Sequence, residues 1–410
     1  VTTPAPRALA PDLARGTMLL AIAFAHAPLF VLAVDHGQAL ANGVSLVFHD
    51  LFVHNHARPM FAFLFGYALV QLLDRRTAHG DDSADVRSML RRRGLWLLAF
   101  GLVHLLLVPI DILAAYGIAS LLLVGLLKVR DRTLLWVGAL TLVPGTLASA
   151  VPMLLALGQG VSVLDVGSVA APAGTDPGEQ YAQRLVGAPF GMVIGTVLVA
   201  PGVIAGMWAA RRGLLEEPTR HRAFLVRAVW VTMTVSALGA LPSALAQTGL
   251  WTPASTAAAW GTAVLQPLTG YFGGFGMAGL IALVAIRAAR AQGPLTTAVS
   301  ALGQRSMTFY LFQSVVFVAV FSPLALGLQD RMGLAASLGV AALTWLVSVL
   351  AAETMRRRGY RGPAENLLRR LVGPAYPARS SVTGRCHSAA SARSRTITRR
   401  VLPPRRGPLW

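Results

Sequence analysis

The sequence predicts an all-α protein: a polytopic transmembrane helical bundle of about ten spans with both the N and C termini in the cytoplasm. Three observations predict it. Charged residues make up only 13% of the chain against 55% hydrophobic ones, and mean hydropathy is +0.59. A soluble domain carries roughly 25% charged residues, so this chain cannot clothe itself in polar surface and lipid is its outer solvent. Apolar windows long enough to cross a hydrocarbon core recur along the chain. Basic residues cluster in every second connection between those windows.

Taken in order, spans are expected near 16–34, 58–73, 94–110, 111–127, 133–157, 188–210, 224–246, 258–286, 307–327 and 333–354. The second and fourth are short. The eighth carries Gly270, Gly273, Gly274, Gly276 and Gly279 and is expected to kink or break. The first also has Ala25-His26-Ala27, which is similar to a signal-peptide cleavage site. Pro28 would follow that cut and the apolar run continues to Val34, so a span is the better reading.

Basic clusters set the direction of each span. They comprise Arg7 and Arg15; Arg75, Arg76 and Arg91 to Arg93; Lys128, Arg130 and Arg132; Arg211, Arg212, Arg220 and Arg222; Arg287, Arg290 and Arg305; and Arg356 to Arg358. All fall on the cytoplasmic side of a ten-span chain whose two ends are inside. The division that follows is a cytoplasmic segment 1–15, a membrane domain 16–354, a cytoplasmic amphipathic segment 355–375 and a disordered basic tail 376–410. Within the third, 363–372 is expected to lie on the inner leaflet as a short helix, with Leu367, Leu368 and Leu371 down and Arg369 and Arg370 at the headgroups.

The net charge of +19, from 36 Lys and Arg against 17 Asp and Glu, would suggest nucleic acid in a soluble chain. Placed between apolar spans, these charges are topology signals, and the tail is lipid-attracted. The expected partner is the lipid bilayer, with no nucleic acid, and the expected location is the bacterial cytoplasmic (inner) membrane. One cysteine, Cys386, stands in the whole chain, which excludes an intrachain disulfide or a metal site built from several cysteines. Walker A, HExxH and GxSxG signatures are missing from the sequence, and no GxGxxG follows a strand as a dinucleotide-binding turn would. No metal and no tightly bound cofactor are expected.

Ionisable groups inside spans are costly and mark function. His26 lies ten residues past Gly16, and His104 ten residues past Gly94. Both spans enter from the cytoplasm, so both imidazoles reach about 15 Å deep, near the bilayer midplane. Imidazole is the side chain best suited to take and return a proton near neutral pH, and a buried imidazole equally serves to bond a neighbouring helix. At the outer rim, Arg58 opens span two and Asp111 sits in the turn VPIDIL. They are placed to pair or to hold a substrate, and Asp111 equally serves as a cap for span four. Tyr116, Tyr310 and Gln313 are deeper polar groups. His54 and His56 are expected on a solvated loop rather than as metal ligands.

Several stretches together resemble the YeiB-like family of bacterial membrane proteins, defined as a domain of unknown function (418). They are DLARGTMLLAIAFAHAP at 12–28, ARPMFAFLFGYAL at 57–69, GLVHLLLVPIDILAAYGIASLLL at 101–123, GMWAARRGLLEE at 206–217, LGQRSMTFYLFQSVVF at 302–317 and GPAENLLRRL at 362–371. Ala68 and Ile110 stand where the family usually has glycine. The family is similar to a wider group of transmembrane acyltransferases, whose acyltransferase-3 members open span one with Asp-x-x-Arg-Gly and place a required His ten residues after the Gly. Asp12, Arg15, Gly16 and His26 keep that spacing, at a position where YeiB-like proteins commonly have Asn.

The resemblance implies an integral-membrane acyltransferase that moves an acyl group from cytoplasmic acyl-CoA, its co-substrate, to an extracytoplasmic hydroxyl or amine on a glycan or lipid-linked acceptor. Arg15, Arg91, Arg92 and Arg93 would hold the CoA phosphates. His26 would be the general base or an acyl carrier, and His104 would orient it or stabilise the oxyanion. Arg58, Asp111, Tyr116 and Gln313 would bind the substrate. The intramembrane histidines and the glycine-rich span equally suit a small-solute transporter or permease, and a non-catalytic scaffold is the third reading.

Overall fold

A computed structural model of the chain describes residues 8–32, 34–109, 111–169, 176–291 and 293–373. The basic tail with Cys386, and Ile110, lie outside the described residues. Fourteen α-helices follow one another in the described chain, which contains no strand. They are α1 Leu9–His26, α2 Ala39–Phe52, α3 Ala57–Ala78, α4 Ser83–Leu107, α5 Leu113–Leu123, α6 Asp131–Gln159 and α7 Val163–Val166. The second set is α8 Pro177–Ala210, α9 Arg222–Gln247, α10 Thr256–Arg290, α11 Pro294–Gly303, α12 Ser306–Phe321, α13 Leu334–Arg357 and α14 Pro363–Val372.

Six segments are long and apolar enough to cross a membrane by length and composition: Leu9–Phe30, Asp131–Gln159, Tyr181–Ala210, Arg222–Gln247, Thr256–Arg290 and Leu334–Arg357. Helices α3 and α4 are 22 and 25 residues long, but each carries several charges. The segments 113–128 and 306–321 are apolar and shorter. Large apolar side chains point outward from the long helices; Trp136 is 68% exposed, Trp230 72% and Leu343 62%. A multi-pass membrane protein has this distribution, because lipid accepts apolar surface and helix association rests on close packing instead.

Close packing explains the glycines of α10. The helix is continuous over 35 residues, so its glycines do not break it. A Cβ at Gly273 would collide with Ser236 Oγ and the His56 ring, and one at Gly270 would press on the Asn55 carbonyl. Gly270, Gly273 and Gly274 form a groove that admits the elbow joining α2 to α3, and Gly276 and Gly279 face α9.

Helix α2 lies in a stretch expected to be a plain connection. It is built inside out: Asn42, His49 and Asp50 are buried, whereas Leu40 is 81% and Val44 63% exposed. Asn42 ties it down, donating to the His36 carbonyl at 2.9 Å and accepting from Ala335 N, in the first turn of α13, at 3.0 Å.

The amphipathic helix expected at 363–372 is present as α14. Its buried face is Ala364, Leu368 and Val372, so Leu368 faces protein, while Leu367 and Leu371 remain exposed. Glu365 fixes it by accepting from Met307 N at 2.8 Å, Thr308 N at 3.1 Å and Thr308 Oγ1 at 2.5 Å. A carboxylate there satisfies free N–H groups at the start of α12.

Candidate functional site

Two cavities open between the helices toward opposite ends of α1, α3 and α4. One, of about 790 Å3, is lined by the last turns of α1 and α4, the α2–α3 elbow and the first half of α8. His26, His49, His54, Arg58 and Asp111 are on its wall. The other, of about 620 Å3, is lined by the start of α1, the second half of α3, the first half of α4 and α14. Arg15, Arg75, Arg76, Arg93 and Arg369 are on its wall. Successive residues of α5 face different cavities: Ile112, Ala114 and Ala115 the histidine cavity, Leu113 and Tyr116 the arginine cavity. The first turn of α5 is therefore part of a septum between them.

Tyr310 completes that septum and brings the two predicted histidines together. Its ring centroid lies 6.1 Å from that of His26 and 5.2 Å from that of His104. His104 is 4% exposed and fully engaged. Its Nδ1 is 2.8 Å from Asp111 Oδ1 and its Nε2 2.8 Å from Ser314 Oγ. An ionised Asp111 only accepts, so Nδ1 carries the proton. Asp111 Oδ2 accepts from Ala114 N at 2.5 Å, so the carboxylate both caps α5 and orients His104. Gly101 makes room, since a Cβ there would strike Asp111 Oδ2 and Ala114 N. The His26 ring makes no hydrogen bond or ion pair among the described residues, and it faces the histidine cavity.

Arg58 lines the same cavity as Asp111 without pairing with it. Its Nη2 donates to Asn55 Oδ1 at 3.2 Å, and no carboxylate pairs with it among the described residues. Tyr116 lies flat against Phe65, with centroids 4.6 Å apart, and tilted against Phe61 at 5.0 Å. Its hydroxyl is buried and has no hydrogen-bond partner among the described residues.

The elbow corrects the expectation of a solvated loop. His56 is fully buried. Its Nδ1 donates to the His54 carbonyl at 2.6 Å, and its Nε2 accepts from Ser236 Oγ at 2.6 Å. Asn55, at φ 58° in the left-handed region that Asn tolerates, donates to Gln266 Oε1 at 2.7 Å. His54 sits 3.3 Å from Asp50 Oδ1 and stacks on His49 with centroids 6.0 Å apart. His49 Nε2 and Asp50 Oδ2 are buried without hydrogen-bond partners among the described residues. Sequence reasoning passed over His49 and Asp50; the available signal was the polar face of α2, with Asn42 and His49 seven residues apart among exposed apolar positions. Among the described residues no group of three His, Cys, Asp or Glu is placed to hold a metal ion.

The four arginines expected together are divided. Arg15 and Arg93 line the arginine cavity, Arg91 is exposed, and neither Arg91 nor Arg92 is on its wall. Arg15 is 3.3 Å from Asp12 Oδ1, whose Oδ2 accepts from Gln304 at 3.0 Å. Arg93 Nε has no hydrogen-bond partner among the described residues. The wall gains Arg75, Arg76 and Arg369, which the sequence offers only as topology or headgroup charges. Gln313 lines neither cavity; its Nε2 donates to the Leu19 carbonyl at 3.1 Å and ties α12 to α1. Helices α1 and α11 touch at Gly16 and Gly303, where a Cβ would meet the Val299 and Asp12 carbonyls.

Residues 209–374 match the family model described as "Protein of unknown function (DUF418)", consistent with the YeiB-like resemblance. No curated protein matches the chain. The matched segment runs through α9 to α14 and supplies Gln304, Tyr310, Ser314, Glu365 and Arg369. His26, Arg58, His104, Asp111 and Tyr116 precede it.

Proposed function

For a multi-pass helical protein whose residues 209–374 carry the DUF418 match, we propose an integral-membrane acyltransferase of the bacterial inner membrane, with about ten spans and both ends in the cytoplasm. In that orientation the arginine cavity opens inward and the histidine cavity outward. Acyl-CoA enters from the cytoplasm with its phosphates on Arg93 and its neighbours, and the thioester reaches the septum. The acceptor, a hydroxyl or amine on a glycan or lipid-linked molecule, arrives through the histidine cavity. His26 takes the acceptor's proton as general base, and the acyl group crosses while CoA stays inside.

One observation carries this reading above all: an unbonded imidazole on one cavity stands beside a tyrosine that lines the other. Acyl transfer between separated compartments needs such a divided site, with cationic groups for polyphosphate on one side and a base on the other. His104 acts as a positioning residue, since Asp111 and Ser314 occupy its ring nitrogens. A transporter needs a path that opens to each side in turn, and α10, whose glycines suggested a broken helix, is continuous.

The test is thermal unfolding of the purified protein in detergent with CoA at millimolar concentration. The acyltransferase reading predicts a raised Tm through ligand linkage, lost in Arg93→Ala. An unchanged Tm in the wild type would favour a transporter or a scaffold.

A further inference from the structure

When a nucleophile adds to a thioester, negative charge builds on the carbonyl oxygen, and a donor aimed at that oxygen supplies much of the catalysis. The sequence offers His104 for this task, but both its nitrogens are engaged, with Asp111 and Ser314 each at 2.8 Å. Tyr116 differs. It is 1% exposed, its hydroxyl has no hydrogen-bond partner among the described residues, and it lines the arginine cavity where that cavity meets the septum. An unused O–H donor buried at that depth is costly unless a ligand engages it.

Arg58 lies on the helix face against which the Tyr116 ring packs. Residues 58, 61 and 65 follow one face of α3, and the Tyr116 ring lies against Phe61 and Phe65. Arg58 is the next side chain along that face, on the histidine-cavity side of the ring. One of its nitrogens is used, by Asn55.

We propose that the Tyr116 hydroxyl and the Arg58 guanidinium form an oxyanion site on the septum, which binds the carbonyl oxygen of an acyl thioester. The proposal rests on the acyltransferase reading. The acceptor's lone pair forms the new C–O or C–N bond while His26 takes its proton. The carbonyl π pair moves to oxygen, held by Tyr116 and Arg58. Collapse restores the carbonyl and breaks the C–S bond, and the departing CoA sulfur takes the proton from His26. No further reactant is required.

The experiment uses the full-length protein in detergent with acetyl-CoA as donor and hydroxylamine as a small acceptor. Thiol release is followed and the protein-free rate subtracted. Tyr116→Phe removes the O–H and keeps the stacked ring, so kcat should fall about 100-fold, with KM for acetyl-CoA and the CoA-dependent Tm shift unchanged. Arg58→Lys keeps the charge and loses the fork, and should fall about 10-fold in kcat. A Tyr116→Phe protein within threefold of wild type, or one that loses the CoA-dependent shift together with kcat, would overturn the oxyanion role. A wild type that turns over nothing contradicts the acyltransferase reading itself, a different result from an active wild type with an equally active Tyr116→Phe.

Discussion

The imidazole of His104 has a partner on each nitrogen, and that of His26 has none among the described residues. The two histidines flank one tyrosine and differ in what their loss should do. His104→Ala strips a hydrogen bond from the buried Asp111 carboxyl and should destabilise by about 2–3 kcal/mol, the cost of leaving a buried polar group without its partner; chemical unfolding in mixed micelles measures it. His26→Ala removes no such bond and should change stability by less than about 1 kcal/mol. Equal spacing from Gly16 and Gly94 raised the expectation that the two rings lie at one level, and both do lie beside Tyr310. Their bonding was not legible, since Ser314 lies 210 residues from His104, and spacing along one helix says nothing of which distant helix faces it. Arg58 and Asp111 line one cavity, but the carboxylate is taken by His104. The guanidinium has Asn55 as its hydrogen-bond partner instead.

Helices α2, α10 and α14 show how a membrane element departs from soluble-protein rules. In α2 the polar residues are buried and the apolar ones exposed, so its pattern reads as a connection until the solvent is taken to be lipid. Glycines in α10 signalled a break by propensity, yet they serve contact, with the elbow seated where side chains would stand. Gly273→Leu should therefore prevent assembly: the new side chain meets Ser236 and His56, and the detergent-extracted protein should aggregate on size exclusion, whereas Gly261→Leu, with open space around it, should elute as wild type. Amphipathicity made α14 legible from sequence, but not its cap. Glu365→Ala removes three hydrogen bonds to α12 and should cost about 1–2 kcal/mol. Faster trypsin cleavage at Arg369 and Arg370 would report the loosened helix.

For the molecule as a whole, hydropathy and the alternation of basic clusters made the helical membrane class legible. Six of the expected spans coincide with helices long and apolar enough to cross; the others fall on charged α3 and α4 and the shorter α5 and α12. The proposed orientation predicts opposite labelling in a Cys386→Ser background. Ala254→Cys, between α9 and α10, should react with an impermeant maleimide in permeabilised-envelope cells, and Ala78→Cys, at the end of α3, only after lysis. The division into two cavities was beyond the sequence, because it depends on which helices diverge at each end. That division is the centre of the proposed function, which puts acyl-CoA on one side, a base on the other and Tyr310 between. The most direct measurement gives radiolabelled acetyl-CoA to purified wild-type and His26→Ala proteins, with hydroxylamine as acceptor, and follows loss of label from CoA. The account predicts turnover by the wild type and at least about 100-fold less by His26→Ala, with the same CoA-dependent Tm shift in both. Equal turnover in the two proteins would contradict it.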